Sequence, residues 1–136
     1  MVKQSFKGMS AAVAAGIILS FVITALACII PKAVTDGICA DCIPLIDEAL
    51  DKALENRNGE ATPVIETIIE IIKKRRYTLL LFFDHKDVSE LVRSAETALE
   101  LSKTDDTAQL ITELCDIGKA CDYLKHINDM SILNIF

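Results

Sequence analysis

Hydrophobic and polar positions divide the chain into one unbroken apolar run and four amphipathic stretches. Ala11 to Ile30 reads AAVAAGIILSFVITALACII, with Ser20 and Thr24 as its only hydroxyl side chains and no charge between Lys7 and Lys32. At about 1.5 Å of rise per residue, a helix of this length spans the roughly 30 Å hydrocarbon core of a bilayer. Beyond it the pattern changes to a helical period. Cys39, Cys42, Ile46, Ala49, Leu50 and Ala53 make an apolar stripe in a helix over about Ala33 to Asn56. Pro44 is expected in a first turn or a kink, and Asn58-Gly59 supplies a turn. A second helix is predicted from an N-cap at Thr62 followed by Pro63, with Val64, Ile65, Ile68, Ile69, Ile72, Leu79, Leu80 and Phe83 on its apolar face. Its early Glu66 and Glu70 and late Lys73, Lys74, Arg75 and Arg76 suit the helix dipole.

A third helix is capped by Asp84 and runs to about Lys103, with Val88, Leu91, Val92, Ala95, Ala98 and Leu99 on one face. A fourth starts at Thr104-Asp105-Asp106 and runs to about Ile127, lined by Ile111, Leu114, Ile117, Gly118, Cys121 and Leu124. The apolar tail, residues 130–136, is expected to fold back onto the body, since its large side chains would otherwise be exposed together. Tyr77 to Phe83 (YTLLLFF) is too short to cross a membrane and reads as a buried helix end, with a segment lying in the lipid interface as the alternative. The fold class expected is all-α: one N-terminal transmembrane helix (residues 1–32) followed by a small antiparallel bundle of about four helices (residues 33–136).

Charge adds orientation. The chain of 136 residues has 14 Lys+Arg against 20 Asp+Glu, a net charge of −6. Lys3, Lys7 and Lys32 all precede residue 33, and no acid precedes Asp36. The remainder therefore holds 11 basic and 20 acidic residues, a net −9. A body so acidic, without Trp, lacks the basic footprint and stacking platform of a nucleic-acid binder. Lys3 and Lys7 favour a cytoplasmic N-terminus and place the body on the far side of the cell membrane. An uncleaved anchor fits the run's length. Cleavage after Ala25-Leu26-Ala27 and lipidation at Cys28 are the alternatives. The small residues Ala11/Ala15 and Ala12/Gly16 have helix-pairing spacing, a pattern that arises by chance in an Ala-rich run.

The second half carries a resemblance. Phe83-Asp84-His85, the Asp105-Asp106 break, Leu124-Lys125-His126-Ile127 and the closing Ser131-Ile132-Leu133-Asn134-Ile135-Phe136 resemble the small bacterial proteins of domain-of-unknown-function family 4363. The motif residues are Asp84, His85, His126, Asn134 and Phe136. The resemblance implies a membrane segment followed by a helical domain, and it brings no activity with it. Ile132 in place of Leu, a basic cluster without Trp in the second helix, and four cysteines outside the span depart from the family pattern.

Candidate chemistry is sparse. If the first helix leaves the membrane and the fourth returns to it, equal heights pair Cys39 with Cys121. Cys42 and Cys115 miss the match by about one turn. A disulfide between Cys39 and Cys121 is one reading, and small, inert buried thiols are the other. Cys39-x-x-Cys42 lacks the βαβ context of a redox pair, and Cys115 and Cys121 point to different sides of one helix, against a four-cysteine zinc site. Asp84, His85 and His126 could form a metal or acid–base site at the membrane end. Against that, Asp84 reads as a cap and His126 as a complement to a helix C-terminus. Lys73, Lys74, Arg75 and Arg76 could meet anionic headgroups or a partner's acidic loop, or form a solvated turn. No nucleophile–base spacing is present. The expectation is a non-enzymatic interaction or accessory module for another membrane protein, without cofactor, small-molecule substrate or nucleic acid. A metal- or thiol-dependent extracytoplasmic protein using Asp84/His85/His126 or Cys39/Cys42 is the alternative.

Overall fold

The structure is a computed structural model that describes the backbone of residues 10–133 and the side chains of residues 10–129. Every regular element among the described residues is helical: α1 (Ala11–Leu54), α2 (Asn58–Phe82), α3 (His85–Ser102) and α4 (Thr107–Leu133). Helix α1 packs on α2 and α4, and α3 packs on α2 and α4, so the four form a closed bundle. Its core is aliphatic. Ile38, Ile65, Ile68, Ile72, Leu79, Leu91, Leu110, Leu114, Ile117 and Leu124 are fully buried, with Ala49, Ala53, Ala61, Ala95 and Ala98 at the close contacts. The apolar stripes of all four amphipathic stretches face this core, as their period requires.

The apolar run and the first amphipathic stretch are one 44-residue helix rather than two segments. Pro31 and Pro44 both lie inside it. Each removes one backbone N–H, and helices tolerate that where the freed carbonyl finds another partner or solvent. Pro44 thus sits mid-helix, not in a first turn, and both it and Ala40, four residues earlier, are exposed.

The turn after α1 also differs from expectation. Asn56, not Asn58-Gly59, makes the reversal, with φ of 58°. Its N–H donates to the Ala53 carbonyl at 2.9 Å, and the Arg57 N–H donates to the Lys52 carbonyl at 2.9 Å. This is a Schellman closure with asparagine in the left-handed position. Helix α2 then begins at Asn58, one turn before Thr62. Asn58 Nδ2 donates to the Thr104 carbonyl (3.0 Å) and to Thr107 Oγ1 (3.1 Å), and this bond to the α3–α4 turn holds the extra turn in place.

Asp84 caps α3 as its sequence position predicts, accepting from the Lys86 N–H at 2.7 Å. Asp106 caps α4, accepting from the Gln109 N–H at 3.1 Å. Helix α4 continues past Ile127 to Leu133, so residues 130–133 extend the helix instead of folding back. Residues 134–136, with the Asn134 and Phe136 of the family motif, lie outside the described residues.

Candidate functional site

The region that sets this molecule apart lies where α1 leaves the bundle. Up to Ile30 the helix makes no buried contact: only Ala14 and Cys28 are even half-covered between residues 11 and 30. Phe21 is 73% exposed, and Ile18, Leu19, Ile23 and Ile29 are similarly bare. Of its most apolar 18-residue window, 0% is buried. A helix that is apolar on every side and uncovered by protein is suited to lipid, not to water. By length and composition this is the one helix among the described residues able to cross a membrane.

At Pro31 the environment changes within one residue. The Pro31 carbonyl accepts from Thr35 Oγ1 (2.6 Å) and from Asn128 Nδ2 (3.1 Å). Asn128 Nδ2 also donates to Thr35 Oγ1 at 2.5 Å. Thr35 and Asn128 are buried, so this small polar cluster ties the first bundle turn of α1 to the Asn128 turn of α4. Outside it, Lys32 Nζ contacts Asp129 Oδ1 at 2.6 Å and lies 3.8 Å from Asp36 Oδ2. Hydrogen bonding to Lys32 holds the Asp129 carboxyl below its ordinary range. Thr35, Asn128 and the Lys32–Asp129 pair were not singled out from the sequence. The available signal was Asn128 itself, a polar residue continuing the Ile117, Cys121, Leu124 stripe, where a buried amide demands partners.

Two turns further along, the expected cysteine neighbours meet. Cys39 Sγ donates to the Cys121 carbonyl at 3.4 Å, and both residues are buried. All five cysteines are free thiols. The closeness of the two cysteines lowers Cys39 and raises Cys121, whose burial raises it further. Cys42, fully buried beside them, is pushed up to about 11 by burial and then by Asp41 and Cys39. Cys39 also lines a surface groove between α1 and α4 together with Lys32, Asp36 and Lys125. Cys115 is half-buried elsewhere on α4.

Asp84, His85 and His126 are exposed, and no three His, Cys, Asp or Glu side chains cluster in a metal-holding arrangement among the described residues. Asp84 is occupied as a cap. Of the basic cluster, Lys73 pairs with Glu96 of α3 at 3.0 Å and Arg75 with Asp41 of α1 at 2.6 Å, while Lys74 and Arg76 are exposed. Arg75 crosses directly over Gly37, where a Cβ would stand 3.0 Å from its Nη1. At the opposite end of the bundle, the inter-helix turns enclose an open polar cleft lined by residues such as Arg57, Asn58, Glu60, Lys103 and Thr107. No nucleophile–base pair is found there.

Fold and site together define a class: an all-helical bundle whose first helix continues into a bare apolar arm. No family model, no curated protein and no solved structure matches the chain.

Proposed function

We propose that this protein is a single-pass, membrane-anchored accessory module. The arm crosses the cell membrane with the N-terminus in the cytoplasm, and an antiparallel four-helix body stands outside the cytoplasm and binds an integral membrane partner. The observation that supports this reading is the arm: about 30 Å of apolar helix with no protein covering it, continuous with a well-packed body. Lys3 and Lys7 before the arm supply the orientation. A role in binding rather than catalysis is part of this proposal. Kinship with family 4363 belongs to the same proposal and rests on the Phe83–His85 and Leu124–Ile127 motifs. Cross-linking in intact membranes, followed by purification in mild detergent, tests the accessory role. The expected result is one integral membrane protein recovered in fixed ratio. A monodisperse lone monomer with no cross-linked neighbour would contradict it.

The closeness of Cys39 and Cys121 favours a second, compatible feature. Outside the cytoplasm the two thiols would lose two protons and two electrons to a disulfide-bearing oxidoreductase and close into a cystine joining α1 to α4. Thiol counting on the unfolded protein, with and without reductant, should find two additional thiols after reduction. Those two should be absent from the difference in a Cys39→Ser, Cys121→Ser variant.

A further inference from the structure

The exposed end of α2 is at odds with its surroundings. The large apolar residues in the first four turns of α2 are buried or half-buried, yet Tyr77 is 82% exposed, Leu81 77% and Phe82 37%. Their position along the molecule is fixed by α1. Arg75 lies over Gly37, and Thr78 shares a groove with Ile29, Ile30, Ala33 and Val34. Continuing this pairing, Leu81 and Phe82 reach the level of Ile30 and Pro31, where the bare arm begins. The exposed apolar end of α2 therefore stands at the height where the exposed apolar arm begins.

The order of residues on that face is also informative. Glu70, Lys74, Tyr77 and Leu81 follow one another at spacings of four, three and four on a single exposed stripe of α2. Read toward the arm, they change from acid to base to aromatic to aliphatic. Tyr77 stands about 6 Å and Lys74 about 10 Å above Leu81 along the helix. The headgroup layer of a bilayer is roughly 5–7 Å deep on each side. Tyrosine favours that layer, and lysine reaches back to it from above with an apolar stem.

From this juxtaposition we propose that the base of the body is a second membrane contact. The last turn of α2 is seated in the headgroup layer, with Leu81 and Phe82 at the hydrocarbon boundary, Tyr77 among the headgroups and Lys74 at their outer edge. The occupant of this face is lipid, not a protein partner. The consequence is orientation: the arm alone leaves the body free to lean, whereas two contacts hold it flush on the bilayer with its polar turns pointing away. This rests on the anchor reading above, and the test separates the two.

The chain contains no tryptophan, so single reporters can be placed in the full-length protein: Tyr77→Trp at the proposed contact, Phe21→Trp in the arm and Leu54→Trp at the opposite end of the body. Each is reconstituted into phosphatidylcholine nanodiscs carrying spin-labelled lipid, with the label either shallow or deep. The expected result is loss of Tyr77→Trp emission with the shallow label, loss of Phe21→Trp emission with the deep label, and no loss for Leu54→Trp. If Phe21→Trp is quenched while Tyr77→Trp behaves like Leu54→Trp, the seated face is overturned and the anchor stands; a protein-covered patch gives this same outcome in lipid alone. If Phe21→Trp escapes quenching, the anchor reading fails and takes the seat with it.

Discussion

At the scale of single residues, the join between arm and body depends on a few polar atoms. Asn128 serves the Pro31 carbonyl and Thr35 together in a buried setting. Asn128→Ala removes both of these hydrogen bonds while the Thr35 hydroxyl still serves the Pro31 carbonyl, so the loss is that of ordinary hydrogen bonds, about 0.5–1.5 kcal/mol each. Chemical denaturation in detergent should show that loss. Lys32→Ala, which removes an ion pair with both side chains more than 40% exposed, should change stability by less than about 1 kcal/mol. The buried thiols make a pH prediction. Cys42 ionises near 9.0 when unfolded and at about 11 in the native protein, so the unfolded chain gives up its proton first. Its contribution is complete below pH 9 and is lost as pH rises through that window to about 11. A Cys42→Ala variant should show a flatter decline in stability over this range. In the sequence, Cys39 and Cys121 were legible as neighbours because both lie on apolar stripes at matching heights. The pairing of Thr35 with Asn128 was not: the stripe of α4 marks Asn128 as a polar residue at a buried position but does not name its partner on α1.

At the scale of elements, the periodic stretches were legible and their ends less so. Helix α3 matches its stripe and its Asp84 cap because both signals are local. Asp84→Ala should cost about 1 kcal/mol, the usual value of an N-cap, read as a lowered denaturation midpoint. Helix α2 starts a turn early because Asn58 is held by Thr104 and Thr107, residues nearly fifty positions away that no local rule anticipates. The reversal at Asn56 exchanges one asparagine for another: either Asn56 or Asn58 suits a left-handed position, and backbone closure onto Lys52 and Ala53 selects the first. The continuity of α1 was hidden by the change of pattern, from an unbroken apolar run ending at Ile30 to an amphipathic stripe from about Ala33. The Pro31 carbonyl, at that join, is the acceptor that binds α1 to α4, and the helix runs on through it.

At the scale of the whole molecule, the arm and the body are energetically separate. Residues 11–30 contribute no side chain to the core, which consists of residues from Ile38 onward. Deleting residues 1–30 should therefore leave a helical, cooperatively unfolding body by circular dichroism, and one that no longer needs detergent to stay in solution. The central claim is that the arm lies in lipid. Its most direct test is alkaline carbonate extraction of membranes from cells making the full-length chain. Carbonate strips peripheral proteins and leaves integral ones in the pellet. The intact chain is expected in the pellet, released only by detergent; recovery in the carbonate supernatant would show that the arm does not lie in lipid.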